Sequence, residues 1–513
     1  MDFYEQLNSI GLTRLLRDVA YESPRFMQQE RLFAALDEIV TNNLYLILVS
    51  DCDVDGISCI KVVEGAFNAL GFRNYRVAPY IERTHRLSTH AVYLCLQSNC
   101  DYVLICDTGS SDVQLINRLV NEGKKVIVLD HHLTQYDYDF YSPNVIMVNT
   151  TIENHHLGTN KYQLSAGALV YCVFEAYLRH KGITNAEYLV AYAAISLFAD
   201  CMDMGNDLNR SIYYRAKALE DSQLPDIVKL FMEDKALRFN SRFINYTFSP
   251  KINAAFRSEN LGVLNTLLLP GHSAGQIASA YERLKLIYEA SRQMVEEAVD
   301  TLQTQVEKWQ HFVVCDLRGV EPYISIENER LYNYTGLIAN KFASRYGKIG
   351  FVYCSLDNDV KGSVRDPLGR CVLPLFQQLC YAGGHGAAFG TVANKLDFPG
   401  VMKMLHYIDT YSMGDFVTNK PLLVDWPYAT LDANVVQSML RVSELGGQSV
   451  PKLILRKKMI GMRESTTSYG YCYTCGTGSD QFKFYAKHKL NFCESYLFEL
   501  VQKQTIFFSQ VEE

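Results

Sequence analysis

The sequence predicts an α/β protein: a parallel-sheet domain, a long linking helix, a smaller α/β domain with a Gly-Gly-His segment, and a C-terminal β-rich domain. Three observations predict it. Short apolar runs alternate with helical patterns over residues 1–205, the signature of βαβ units and a parallel sheet. A proline-free stretch between Pro270 and Pro322 carries one helical seam. Beyond about residue 415, Tyr, Phe, Val and Thr alternate at strand spacing.

The elements follow in order. Strands are expected at 44–50, 74–80, 101–106, 125–129 and 145–148, with helices near 57–71, 110–122, 163–180 and 185–199. Ile277, Tyr281, Leu284, Tyr288, Ser291, Val295, Ala298 and Leu302 keep alternating four-and-three spacing, which reads as one long helix linking two lobes. HFVVCDL (311–317) and IGFVYCSL (349–356) read as strands around a helix at 333–346, followed by VKGSVR (360–365) and, after another helix, GGHGAAFG (383–390). One helix near 431–445 precedes KLILRKKMIGM and FKFYAKHKLNF, which read as strands of a small β domain. The expected domains are 1–205, a helical connector 206–310, 311–412 and 413–513.

Composition narrows the function classes. With 48% apolar and 20% charged residues the chain is ordinary globular. No segment approaches the roughly 20 apolar residues of a membrane span, and MDFYEQLNSIG lacks the basic and apolar regions of a signal peptide. The fourteen cysteines sit mostly in apolar strands and helices, as suits reduced thiols, so a cytoplasmic protein without membrane partners is expected. The net charge of −7 argues against a generally basic nucleic-acid binder but leaves room for a local basic groove.

The chemistry gathers at the ends of the apolar runs. LYLILVS leads into Asp51, Asp53 and Asp55, DYVLIC into Asp107, KVIVL into Asp130, His131 and His132, and AYAAISLFA into Asp200. Ligands bind beyond the carboxyl ends of parallel strands, so these groups are expected to converge on one pocket. Packed carboxylates repel one another unless cations lie between them. Asp53 and Asp55 share a face if their loop stays extended, Asp107 can bridge from the next strand, and His131 with Asp200 can close a shell around two divalent ions, Mn2+ or Mg2+. Any single aspartate after a strand is as readily a helix N-cap, and it is the recurrence that favours metal. Asp51 and Asp130 are expected as supporting groups, and His132 as a ligand's neighbour that contacts phosphate. Phosphodiester or related phosphate hydrolysis is the expected reaction.

DCDVDG (51–56), CDTG (106–109), DHH (130–132) and FAD (198–200) resemble, in order, the four motifs of the DHH phosphoesterases, and GGHGAAFG resembles the Gly-Gly-His motif of their associated domain. Within that superfamily the chain is most similar to the RecJ single-stranded DNA exonucleases: SPKINAAFR (249–257) and KGSVR (361–365) resemble two of their later segments, and SELGGQSVPKLIL (443–455) resembles the entry to their OB-fold domain, which implies an OB-like C-terminal domain. The resemblance implies that Asp53, Asp55, Asp107, His131 and Asp200 bind two metals, and that Asn253, Arg257, Arg365, Gly383, Gly384 and His385 hold the substrate strand. It also implies 5′ to 3′ polarity, a role in DNA repair or recombination, and a helicase or single-strand-binding protein as partner. Read from the residues, Gly383 and Gly384 either admit an anion to backbone amides or make a tight helix-to-strand turn. Thr108, Lys251, Phe256 and Phe389 depart from the family pattern, and the two phenylalanines are expected to narrow the strand path or to offer a stacking surface.

Two rival functions stay open: a phosphodiesterase of cyclic dinucleotides or short oligonucleotides, and a non-catalytic replication or repair partner. Cys472 and Cys475 lack zinc-ligand companions and read as a buried or incidental pair. His155 and His156 follow a turn-like NTTIEN stretch and read as loop residues. The Lys and aromatic mixture at 452–489 reads either as a single-strand surface or as a solvated sheet face.

Overall fold

The computed structural model describes residues 8, 13–81, 86–232, 237–318, 332–356, 358–366, 372–385, 388–413, 422–425, 433–445, 450, 453–458, 462–467, 470–475, 482–486, 489–490, 495–502 and 506–511. They fall into two compact units, one of residues 19–291 and one of residues 1–18 with 292–513.

The first unit is built on five parallel strands: β1 (Leu46–Ser50), β2 (Tyr75–Val77), β3 (Tyr102–Cys106), β4 (Lys125–Asp130) and β5 (Val145–Asn149). Both faces of a parallel sheet are covered by its crossover helices, which is why LILV, YVLIC and VIMV are apolar without alternation. Ile47, Val103, Ile105, Val126 and Val128 pack with Ile116 and Leu119 into one core, and truncating any of these Ile or Leu side chains to Ala should cost roughly 2–5 kcal/mol. The lateral order is β2-β1-β3-β4-β5. After β1 the chain goes to one side and then returns past β1 to the other, so the crevice between β1 and β3 is the topological switch point, the place where an open α/β sheet takes its ligand. Asp51–Asp55 leave β1 there and Asp107 leaves β3.

The helices of this unit are α1 (Gln29–Thr41), α2 (Val54–Ala69), α3 (Thr89–Gln97), α4 (Val113–Asn121), α5 (Thr150–Leu157), α6 (Ala166–His180), α7 (Val190–Ala199), α8 (Asp207–Lys217), α9 (Asp226–Phe231), α10 (Ser249–Arg257) and α11 (Leu261–Leu268). α2, α6 and α7 pack on one another, and α7 is apolar and buried along nearly its whole length. A π-helical turn, Ile244–Phe248, leads into α10. Two of these helices bury polar residues among the apolar ones: α5 buries Thr150 and Glu153 beside Ile152, and α8 buries Asn209, Arg210 and Ser211 beside Leu208 and Ile212, and the sequence alone shows α5 as turn-like. Its N-cap Asn149 accepts from the amides of Thr151 and Ile152, and the left-handed Gly158 ends it, so His155 and His156 lie in a last helical turn rather than in a loop.

The long helix α12 (Ala274–Leu302) follows the expected seam: Tyr281, Leu284, Ser291, Val295, Ala298 and Leu302 are buried. The division between the units falls within it, after Ser291.

The second unit contains a mixed six-stranded sheet, β6 (Glu307–Lys308), β7 (Phe312–Asp316), β8 (Ile349–Leu356), β9 (Asp359–Arg365), β10 (Tyr381–His385) and β11 (Ala388–Asn394), in the order β10-β11-β9-β8-β7-β6. Only β7 and β8 pair in parallel, across α13 (Thr335–Tyr346). α14 (Leu373–Leu379) and α15 (Phe398–Tyr411) complete it. Gly383 and Gly384 lie inside β10, paired with Gly390 and Phe389, and therefore make no helix-to-strand turn. Phe389 is core, its ring 5.2 Å from that of Phe376. Phe256 is likewise buried in the first unit, so neither phenylalanine offers the stacking surface expected of it.

A third, seven-stranded sheet holds β12 (Leu422–Asp425), β13 (Leu453–Lys458), β14 (Arg463–Thr467), β15 (Gly470–Cys475), β16 (Phe482–Ala486), β17 (Ser495–Gln502) and β18 (Ile506–Val511), with α16 (Ala433–Ser443) between β12 and β13 in the chain. This is the expected β-rich region. Much of SELGGQSVPKLIL (446–449 and 451–452) lies outside the described residues. Cys472 is buried in β15, and the side chain of Cys475 lies outside the described residues. Among the described residues no helix is long and apolar enough to cross a membrane.

Candidate metal centre

Asp53 does not sit on an extended loop. It is the N-cap of α2, its Oδ1 accepting from the amides of Asp55 at 2.9 Å and Gly56 at 3.1 Å, and Asp55 already belongs to the first helical turn. The sharp exit from β1 requires Gly56: a Cβ there would stand 2.1 Å from the Asp51 carbonyl oxygen. The two carboxylates are thus set by a cap and a helix start, where the helix dipole favours negative charge.

Asp55 is buried at the N-terminus of a second helix. Its carboxylate accepts from the α6 amides of Ala166 at 2.9 Å and Gly167 at 2.7 Å, and from the Ser196 hydroxyl of α7. Asp107 follows β3 at φ 59°, a left-handed conformation unusual for a residue with a side chain, and its amide donates to the Leu129 carbonyl of β4 at 3.0 Å. Strain of this kind persists where surrounding structure enforces it, typically at functional positions.

His131 stands among the carboxylates. Its Nε2 lies 3.4 Å from Asp107 Oδ1, 3.5 Å from Asp200 Oδ2 and 3.7 Å from Asp55 Oδ2. Three sets of groups bring their ligand atoms within 4.8 Å of one another: Asp51, Asp53 and Asp107; Asp55, His131 and Asp200; and Asp107, His131 and His132. Asp107 and His131 each belong to two sets, so the arrangement could hold two neighbouring cations with Asp107 between them. Taken together the centre offers five carboxylates, Asp51, Asp53, Asp55, Asp107 and Asp200, against two imidazoles, an oxygen-rich donor set that suits Mn2+ or Mg2+.

The electrostatics agree with that donor set. Burial, reinforced by Asp200, pushes the Asp55 carboxyl up to about 6. Asp107 is raised much further, by burial and then by Asp55, Asp53, Asp51 and Asp200. Unneutralised, the pocket cannot keep all its carboxylates charged. Asp130 behaves in the opposite way. Despite burial it is held well below the usual carboxylate range by His132, whose Nδ1 is 2.8 Å from Asp130 Oδ1, and by the amides of Ser110 and His131. Burial opposes protonation of His132, yet the Asp130 hydrogen bond pushes that imidazole up to about 10.

The structure therefore gathers Asp51, Asp53, Asp55, Asp107, His131, His132 and Asp200 in one place, with Asp130 buried behind His132. Asn253 and Arg257 lie half-buried on α10 of the same unit. Arg365, Gly383, Gly384 and His385 belong to the other unit. Arg365 ends β9, its Nη1 donating to the Val364 carbonyl at 2.8 Å; Gly384 takes φ 133°, where a Cβ would meet the Phe389 backbone at 2.8 Å. The side chain of His385 lies outside the described residues.

Some supporting groups escape a sequence reading. Ser196 stands one turn before Asp200 on α7 and so shares its face, a spacing that could have been read. Asn149 closes β5 as the aspartates close β1 and β3, and its Nδ2 holds the His132 carbonyl at 2.9 Å and the Ser110 hydroxyl at 2.8 Å. The amides of Ala166 and Gly167 carry no sequence signal of their own.

Residues 45–199 match the model of the DHH family, N-terminal domain. The SPbeta prophage-derived protein YorK of Bacillus subtilis is 24% identical over 339 residues, 60% of this chain and 54% of that protein. The single-stranded-DNA-specific exonuclease RecJ of Haemophilus influenzae is 24% identical over 242 residues, 44% of this chain and 40% of that one. The chain spans about half the length of the curated relatives it matches. Among solved structures, RecJ of Thermus thermophilus in complex with Mn2+ superposes with a TM-score of 0.71 at 16% identity, covering 99% of this chain and 74% of that one, a likeness of fold.

Proposed function

We propose, from the match of residues 45–199 to the DHH family, N-terminal domain, that the chain is a metal-dependent exonuclease hydrolysing phosphodiester bonds of single-stranded DNA. The observation that carries the reading is the ring of Asp55, Asp107 and Asp200 carboxylates around His131 Nε2, at 3.4–3.7 Å, beyond the switch point of a parallel sheet. Asp53, Asp55, Asp107, His131 and Asp200 would hold two Mn2+ or Mg2+ ions, with Asp51 and Asp130 in support. When bound, such a pair supplies Lewis-acid polarisation and a water of lowered pKa.

The chain's own residues do the rest. Asp130 binds His132 through Nδ1, which turns the other ring nitrogen, protonated, toward an incoming phosphate oxygen. Asp55, fixed by three donors, keeps its oxygens aimed into the pocket without reorganising. Asn253, Arg257, Arg365 and His385, with the amides of Gly383 and Gly384, bind and orient the strand's phosphates. The 5′ to 3′ direction, a helicase or single-strand-binding partner, a role in repair or recombination and a cytoplasmic setting belong to this proposal through the resemblance to RecJ proteins. So does the division of the chain at residues 205, 310 and 412.

The test is a comparison of end-labelled single-stranded DNA, duplex DNA, RNA and a cyclic dinucleotide, each incubated with Mn2+ or Mg2+. Release of label as mononucleotide from the 5′ end of single-stranded DNA supports the reading. Preferential cleavage of the cyclic dinucleotide, or no hydrolysis of any substrate, overturns it.

A further inference from the structure

We propose a second, separate metal site on the first unit, formed by Asp137, His155 and His156 and selective for a zinc-like transition ion. The three side chains are exposed, and one ligand atom from each lies within 4.8 Å of the others. They come from two elements. Asp137 caps the short 3-10 helix Tyr138–Phe140 in the segment after β4, and the histidines occupy the last turn of α5.

The ligand chemistry distinguishes this site from the acidic centre. Two imidazoles with one carboxylate form the nitrogen-rich set that zinc prefers over Mg2+ or Mn2+, and three protein ligands leave the fourth tetrahedral position to water. His156 Nε2 and Asp137 Oδ1 stand 2.6 Å apart, joined by a hydrogen bond. Around an ion with bonds of roughly 2.0–2.2 Å the same two atoms would separate to about 3.4 Å, a small rotation of exposed side chains. The ring of His156 is not loose. Tyr138 stacks on it at 5.6 Å and 13°, while the Tyr138 hydroxyl donates to Glu153 of the same helix at 2.6 Å. The rings of His155 and His156 are 5.7 Å apart at 83°, so their nitrogens converge from different directions instead of lying in parallel planes.

The position gives the site a consequence. The segment from His132 to Asp137 starts at the acidic centre, and Asn149, the N-cap of α5, holds the His132 carbonyl. An ion joining Asp137 to the end of α5 would close this segment into a tethered loop, pinned at both ends to one helix.

Titration of Zn2+ into the full chain by calorimetry, with Mg2+ saturating the oxygen-rich centre, tests the proposal against His155→Ala and His156→Ala. Both positions are exposed, and unchanged circular dichroism and thermal midpoint without zinc establish that the variants fold. The expected result is one more equivalent of zinc taken up by the wild type than by either variant, with slower amide exchange over 133–140 in the wild type only. Equal zinc uptake by the three proteins overturns the proposal and leaves Asp137 and His156 as an ion pair alone.

Discussion

The Nε2 of His131 lies 3.4 Å from Oδ1 of Asp107, and that oxygen is also 4.0 Å from Nδ1 of His132. Asp107 is thus the carboxylate on which both imidazoles and both candidate cation positions depend, and it is also the one most opposed by its surroundings. Asp107→Asn keeps the shape and removes the charge. Without metal the variant should gain about 1–3 kcal/mol of stability, the scale of one poorly compensated buried polar group. With Mn2+ it should lose the stabilisation that the wild type gains, together with hydrolysis. Thermal denaturation in chelator and in Mn2+ reads both signs; a variant less stable than wild type in chelator would contradict the electrostatic account.

Metal removal should expose a pH dependence of definite sign. Asp55 has a folded pKa of about 6, above the unfolded value of about 3.9, so between those limits the native state binds more protons and stability falls as pH rises. Asp107, raised further, extends the fall to higher pH. The Asp130–His132 pair works outside this window: Asp130 is depressed, its stabilisation lost only in stronger acid, and His132 is raised to about 10, its contribution complete below about 6.5. In chelator the midpoint of Asp55→Asn should therefore be flatter than that of the wild type from pH 4 to 6. In saturating Mn2+ the wild-type slope should reverse, because bound ions require deprotonated ligands. A chelated wild type that becomes more stable over that range, relative to Asp55→Asn, would refute the assignment.

Gly336 tests the phosphate grip. A Cβ built on it would lie 2.6 Å from Arg365 Nη2 and 3.2 Å from its Cζ. The obstructed group is the far end of a flexible side chain, so Gly336→Ala should fold while moving the guanidinium from its place over the start of α13. A misplacement on the order of 1 Å can cost up to ~100-fold. The expected signature is a raised KM for long single strands with kcat little changed. In an Arg365→Ala background the substitution should add nothing, as a double-mutant cycle would read directly; additive effects would mean that Gly336 acts elsewhere.

The parallel sheet was legible because covered strands are apolar throughout, and the site was legible because polar residues stand where those runs stop: Asp51 after LILVS, Asp107 after YVLIC, Asp130 after VIVL. Helices that bury polar residues among the apolar ones, α5 with Thr150 and Glu153 and α8 with Asn209, Arg210 and Ser211, left no such mark, and His155 and His156 read as loop residues for that reason. The inward direction of Phe256 and Phe389 is fixed by tertiary packing, with Phe376 supplying the partner ring of the latter, and no local pattern encodes it. The α2 start at Asp53 was hidden because the same aspartates satisfy a capping pattern and a ligand pattern, and the structure uses them for a cap while leaving their oxygens at the pocket.

Ser196 is the sharpest test of how the supporting groups act. Its hydroxyl donates to Asp55 Oδ1 and favours the charged form against burial. Ser196→Ala removes that donor without adding bulk near Gly167, whose missing Cβ would stand only 2.7 Å from the Ser196 Oγ. The Asp55 pKa should then rise further, so that at neutral pH more of the carboxyl is protonated and a cation must displace that proton. Outer hydrogen-bond partners of metal ligands typically contribute 10–100-fold in affinity. Manganese binding should accordingly weaken by about 10-fold at pH 6.5 and recover most of that loss by pH 8.5, where the carboxyl is ionised either way. Calorimetric titration at the two pH values decides it: a loss independent of pH would mean that Ser196 positions the carboxylate without tuning its charge.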